Sequence, residues 1–296
     1  MAIKTVTATI NGQPTTLTLN SSTGKYEATI TAPSKSSYTL SGGYYPVTIK
    51  ATDTAGNTTT KDATDSTLGA SLRLVVKEKV APVLTFTYPS SGAYLINNKP
   101  TFEWTVTDAD SGVNPNTIAI TVDGTKVTTN ITKTAITGGY KCSYTPSTAL
   151  SDGSHTIKID AADNDGNAAS TKSLTFKVDT VPPTLNVISP ANGLVTNNKS
   201  LTVSGTTNDA TSSPVTVKVN GTAVTVSPTG AFSTTVTLTE GSNTITVVAT
   251  DSAGKSSTVT RKVTLDTKAP TISAVTLTPN PVDGGKTFII SATVTD

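Results

Sequence analysis

Three times along the chain an alternating run of apolar residues ends in a two-residue turn. Val6, Ala8 and Ile10 precede Asn11-Gly12; Ile118, Ile120 and Val122 precede Asp123-Gly124; Val215, Val217 and Val219 precede Asn220-Gly221. Such dipeptides select a type I′ turn, which needs positive φ at both central residues, and the period of two sends one face of each strand inward. The pattern therefore predicts three β-hairpins at recurring positions. The rest of the composition agrees: 14% of residues are charged and 5% aromatic, and Thr, Ser, Val, Ile, Asn and Gly fill short strands and tight turns. No stretch carries a helical apolar stripe, and none approaches the roughly 18 uninterrupted apolar residues of a membrane span. The chain reads as all-β.

Further shared features turn the hairpins into repeats. Some thirty to forty residues after each one, a strand ends in a tight turn: VTIKATDTAGN, HTIKIDAADNDGN and NTITVVATDSAGK, with Asp53, Asp163 and Asp251 at equivalent places. A last strand then runs into Ala-Pro or Pro-Pro, where proline stiffens the link and marks a boundary. The openings match as well. APVLTFTYPSSGAYLINNKPTFEWTVTD (81–108), PPTLNVISPANGLVTNNKSLTVSGTTND (182–209) and APTISAVTLTPNPVDGGKTFIISATVTD (269–296) each read as strand A, a turn and strand B. The expected units are 1–80, lacking A and B; 81–181; 182–268; and 269–296, which holds only A and B.

Several motifs carry a resemblance. They are Pro89 to Gly92 and Pro190 to Gly193 after strand A, Asn97 to Lys99 and Asn197 to Lys199 before strand B, and the Ala-Thr-Asp-x-Ala-Gly turns at 51–56 and 249–254. In these the chain resembles the tandem bacterial immunoglobulin-like domains of surface proteins and tailed-phage virions. The resemblance implies Ig-like β-sandwiches strung into an elongated rod. With its MAIKTVTATING start and Thr-Pro-Asn-Pro-Val near the end, the chain is most similar to prophage-encoded tail and baseplate proteins of Firmicutes. That implies a virion location, reached by lysis without the secretory signal that the start lacks. Partners would be other virion proteins, further copies, or a host-surface glycan or protein.

Searching for chemistry narrows the function classes. The net charge of +2 comes without a Lys or Arg run, so the concentrated positive face of a nucleic-acid binder is missing. Cys142 is the sole cysteine, which leaves no intrachain disulfide and reads as part of a half-buried strand. His155, the sole histidine, follows Asp152-Gly153-Ser154 and reads as a surface turn residue with no oriented nucleophile near it. Glu occurs only at 27, 78, 103 and 240, with no pair placed for glycoside hydrolysis. The expected protein is not an enzyme and needs no cofactor. The candidate metal ligands are Asp108 and Asp110, and Asp163 and Asp165, whose clustered oxygens suit calcium, although Asp-x-x-Gly also serves a hairpin through its own backbone bonds. Tyr44, Tyr45 and Tyr94 are candidates to stack on sugars, with a structural corner role as the competing reading. Trp104, alternating with Phe102 and Val106, reads as core.

The two ends of the sequence are complementary. An opening hairpin alone is marginal in water, and a sheet lacking two strands exposes a polar edge and an apolar face. Phe288, Ile290, Ala292 and Val294 share one face of the last strand and are the expected assembly residues, donated within the chain or to another copy. Three readings follow: a non-enzymatic structural or adhesive virion protein, a bacterial cell-surface adhesin or stalk, and the accessory sugar-binding part of a secreted glycosidase.

Overall fold

The computed structural model describes residues 2–296. Among them no helix is long and apolar enough to cross a membrane. Nearly all regular structure is β, and two short 3-10 turns, Ser41–Gly43 and Gly69–Leu72, are the helical pieces. The three predicted hairpins form: Ile3–Ile10 pairs with Gln13–Asn20, Ala119–Val122 with Thr125–Val127, and Thr216–Val219 with Thr222–Val224. Their turns have the required geometry, with Asn11, Asp123 and Asn220 at φ 49°, 46° and 48°, and each following glycine also positive.

The chain divides into two compact units. One comprises residues 1–93 and 99–177, the other residues 94–98 and 178–296. In the first unit, residues 81–93 and 99–177, termed here the middle module, build two facing sheets. Strands Thr132–Ile136, Gly139–Tyr144, Phe102–Thr107 and Val83–Tyr88 form one in that order; the other contains Thr125–Val127, Ala119–Val122, Gly153–Asp160 and Lys172–Val178. Alternation decides which side chains meet between them. Phe102, Trp104 and Val106 from one sheet, Ile120, Ile157, Ile159 and Phe176 from the other, and Ile118 just ahead of the strand Ala119–Val122, are almost completely removed from solvent. Phe102 and Phe176 meet edge to face with centroids 5.4 Å apart, a favoured arrangement for aromatic quadrupoles. Cys142 faces the same core, directly across from Trp104 on one side and Lys133 on the other.

Residues 2–80 of that unit build only one sheet. Its order is Lys25–Glu27, Gln13–Asn20, Ile3–Ile10, Tyr45–Asp53 and Thr58–Lys61, with Arg73–Leu74 added against Tyr45–Pro46. Between the hairpin and Tyr45 only the three-residue strand Lys25–Glu27 forms, whereas the middle module places Gly139–Tyr144 in the same interval and pairs it with Phe102–Thr107. Residues 28–44 contain no strand, only the 3-10 turn Ser41–Gly43. The buried apolar set is correspondingly thin, namely Val6, Ala8, Tyr45, Ala63 and Val76.

The second unit repeats the two-sheet plan in residues 184–265, called here the third module. Its core gathers Val203, Val217, Phe232, Leu238, Ile245, Val247 and Val263. Leu194–Thr196 lies parallel to the closing strand Ser256–Leu265. After it, Thr271–Thr278 pairs with Ile289–Thr295 as a separate two-stranded sheet. Ile290 stands opposite Leu277, Ala292 opposite Val275 and Val294 opposite Ile272, so all six share one face. That face is uncovered; Ile290 is 64% exposed and Val294 54%. Phe288, immediately before the strand, is exposed too.

Candidate functional site

Two clusters of three carboxylates concentrate the titratable chemistry of the described residues: Glu78, Asp108 and Asp163 in the first unit, and Asp179, Asp209 and Asp251 in the second. Both are built the same way. One acid lies in the link ahead of a module, four positions before the second residue of its Ala-Pro or Pro-Pro pair; one follows strand B; one opens the Asp-x-x-Gly turn after a long strand. In each cluster one oxygen from every member lies within 4.8 Å of the others, and all members except the half-buried Glu78 are buried.

Backbone amides hold these side chains in place. Asp108 Oδ1 accepts from the amides of Asp110 and Gly112 at 3.0 and 2.8 Å, and Asp209 Oδ1 from those of Thr211 and Ser212 at 2.8 and 2.6 Å. Asp163 Oδ1 accepts from Asn167 N at 2.8 Å, and its Oδ2 from Asn167 Nδ2 at 2.7 Å. Glu78 Oε1 takes Ser111 N at 2.6 Å. In the third module Lys255 stands where Asn167 would be. Its amide reaches Asp251 Oδ1 at 2.9 Å, and no side-chain amide is there for Asp251 Oδ2.

The electrostatics are unbalanced. Carboxylate oxygens within 4.8 Å of one another repel when the groups are ionised. The ion pairs Lys61–Asp65, Lys141–Glu103 and His155–Asp123 involve none of the six acids.

Of the four aspartates singled out in the sequence, Asp108 and Asp163 come together. Asp110 and Asp165 do not join them. Both oxygens of Asp110 face the amide of Ser36, at 3.2 and 3.1 Å, and Asp165 Oδ2 accepts from Glu78 N at 3.0 Å. These two acids fasten residues 36 and 78 to the middle module. The third acid of each cluster, Glu78 or Asp179, was missed because a lone acid in a link looks like a solvated charge. The second cluster was missed as a whole, although the equivalence of Asp251 with Asp163 and the shared Asp at the end of strand B pointed to it.

The other candidates find structural partners. His155 is not a surface turn residue. It is 6% exposed, stacks on Phe176 with centroids 5.5 Å apart, and places Nδ1 2.7 Å from Asp123 Oδ2 and Nε2 2.7 Å from the Ser151 carbonyl oxygen. Both nitrogens are thus committed to acceptors, and no hydroxyl nucleophile is presented to the ring. Tyr45 is buried and donates its hydroxyl to the Lys35 carbonyl at 3.2 Å, the corner role, while the Arg73 guanidinium sits 4.9 Å over the Tyr44 ring. Burial pushes the Cys142 thiol up to about 11 against a small opposing effect of Lys133. At pH 8 that leaves roughly 200-fold less thiolate than a free cysteine of pKa about 8.5 would show. Thiol-reactive reagents should therefore label the native chain at least that much more slowly than the urea-unfolded chain, as timed absorbance assays would record.

Residues 90–180 match the family described as Bacterial Ig-like domain, and residues 183–267 the one described as Glucodextranase, domain B. Over 126 residues the chain is 32% identical to Bacillopeptidase F of Bacillus subtilis (strain 168), an alignment taking in 43% of this chain and 9% of that protein. Among solved structures, an I-band fragment of titin covers 89% of this chain and 88% of its own at 13% identity, with a TM-score of 0.41. Fibronectin(III)-like modules of Clostridium thermocellum CbhA cover 62% and 94% at 18% identity, with a TM-score of 0.37.

Proposed function

We propose that this chain, whose tandem β-sandwiches match a bacterial Ig-like domain over residues 90–180, is a non-catalytic structural and adhesive component of a phage tail or baseplate, and that it assembles by strand complementation between copies. Residues 269–296 of one copy would supply the opening hairpin to the single sheet of residues 2–80 in another. One observation carries this reading: the hairpin's apolar face, Ile272, Val275, Leu277, Ile290, Ala292 and Val294, is bare, whereas the matching strand of the middle module, with Phe102, Trp104 and Val106, lies wholly inside a core. Covering it would remove apolar surface from water at about 25 cal/mol per Å² and would give residues 28–44 a strand to pair with. Loops around the assembled modules would then address other virion proteins or a host-surface glycan or protein.

Light scattering across a concentration series tests the assembly. The parent chain should associate, and Ile290→Asp/Val294→Asp should remain monomeric at concentrations where the parent is at least half assembled. Equal masses for the two at every concentration would dismiss the reading.

The match of residues 183–267 to a domain named for glucodextranase, and the alignment to a short part of Bacillopeptidase F, favour a second reading as an accessory or stalk segment of a larger secreted or surface protein. It predicts a catalytic or wall-anchoring region encoded in the same reading frame. The flanking coding sequence decides between the two.

A further inference from the structure

We propose that the Asp179–Asp209–Asp251 triad binds a hard divalent cation, with calcium as the fitting ion, and that Glu78–Asp108–Asp163 is its counterpart in the first unit. Clustered acids alone would not carry this, since carboxylates gather at many turns without a metal. The interior of the triads carries it. Asp251 exposes only 6% of its surface, and its Oδ2 is sealed from solvent with no hydrogen-bond donor facing it. A buried carboxylate oxygen in that state needs a positive partner.

Ser212 gives a second, independent sign. Its hydroxyl oxygen lies within hydrogen-bonding reach of Asp179 Oδ2 and also 3.2 Å from Asp209 Oδ1. A hydroxyl has one hydrogen to donate. Two carboxylate oxygens therefore share or compete for a single hydrogen, which leaves the group short of positive charge. In the counterpart triad the equivalent Ser111 is 1% exposed, and its Oγ has no partner at all although its amide bonds Glu78. Both serines mark the place where a cation would draw oxygens together.

The donor set selects the ion class. Every available donor is oxygen, with no imidazole or thiolate in either triad, which disfavours zinc and copper and suits calcium, whose six to eight oxygen ligands tolerate irregular geometry. Three carboxylates also supply the charge that such a site requires. The first acid of each triad belongs to the link and the other two to the module that follows. Cation binding would therefore lock the direction in which the chain enters the module.

A corollary rests on the assembly reading. Asp266 occupies the link position of Glu78 and Asp179; Asp296 lies as far beyond Pro270 as Asp108 does beyond Pro82 and Asp209 beyond Pro183; Asp53 opens the matching turn of the first module. Asp53 already accepts from Asn57 N at 2.9 Å, as Asp163 does from Asn167. Strand complementation would bring these three together as one further site per contact between copies.

Calorimetric titration of calcium chloride into the full chain after chelator dialysis tests the proposal, paired with thermal melts at saturating calcium and in chelator. Two sites per chain are expected in the monomeric Ile290→Asp/Val294→Asp background, and a third in the assembled parent, so failure of assembly and failure of binding give different results. Asp251→Asn should remove one of the two sites. Calcium should raise the melting midpoint by about 5 °C or more when it exceeds its dissociation constant roughly a hundredfold. The absence of binding heat together with an unchanged parent melt at millimolar calcium would overturn the proposal, and needs no variant to fold. An Asp251→Asn chain that still binds two ions would overturn the assignment of that triad.

Discussion

Trp104→Ala is expected to unfold the middle module at temperatures where the parent chain is intact. The indole lies at the centre of one sheet, across from Cys142 on one neighbouring strand and Phe86 on the other, and none of its surface reaches solvent. Truncating a buried aromatic of this size costs about 3–5 kcal/mol, because the transfer energy is lost and the space left behind cannot fully collapse. Against a domain stability of about 5–15 kcal/mol, the remainder is small. Removing the sole tryptophan also removes its fluorescence, so the melt is best followed by reagent access to Cys142, which lies in the same core. Labelling should begin at least about 15 °C lower than in the parent. Trp104→Phe should be much milder, within about 2 kcal/mol of the parent: it vacates part of the space but also removes an indole N–H that has no acceptor and therefore costs free energy where it stands. A truncation that left the labelling temperature unchanged would contradict the burial of this side chain.

Gly139→Ala is the second large effect expected. A Cβ at this position would lie 2.0 Å from the carbonyl oxygen of Val106 and 2.9 Å from Thr107 Cα. The obstruction is backbone on the neighbouring strand, so no rotamer change relieves it and the two strands must part. A cost of about 3 kcal/mol or more follows, at the upper end of what overpacking produces. The damage should reach the acidic triad, because Asp108 follows that strand directly and its amide is held by the Gly138 carbonyl at 2.7 Å. Gly92→Ala is the natural control. Gly92, unlike Gly139, has a positive φ, yet nothing lies within 4 Å of the new methyl, so only the conformational cost of about 1–2 kcal/mol applies. Urea denaturation of the three chains should rank them parent, Gly92→Ala, Gly139→Ala, with calcium binding at the first triad weakened only in the last.

Much of the fold could be read from residues close together in sequence. Asn11-Gly12, Asp123-Gly124 and Asn220-Gly221 fix their hairpins because the turn and the strands share one short stretch. Alternation of Phe102, Trp104 and Val106 likewise identifies an inward face. What escaped the sequence depends on long-range assembly. Glu78 lies 85 positions before Asp163, and nothing local to either says that they meet. His155 follows a Gly-Ser turn and looked solvated, but a partner from the Asp123 hairpin and the face of Phe176 draw it inside. Asp110 and Asp165 matched the composition of a metal loop, yet amides of Ser36 and Glu78 take their oxygens instead. Their neighbours Asp108 and Asp163, two positions away in each case, are turned inward by the geometry of the same turns.

The parallel pairing of Leu194–Thr196 with Ser256–Leu265 has a mechanical consequence. Leu194, Val195 and Thr196 are matched to Val263, Thr264 and Leu265, so an early strand of the third module and its final strand run in the same direction side by side. Tension applied to the two ends of that module pulls these strands along their length in opposite senses. The joining hydrogen bonds then bear the load together in shear, instead of being peeled open one after another as at the tip of a hairpin. Resistance to stretching would accordingly be set by this short patch, well before the stronger packing behind it is disturbed.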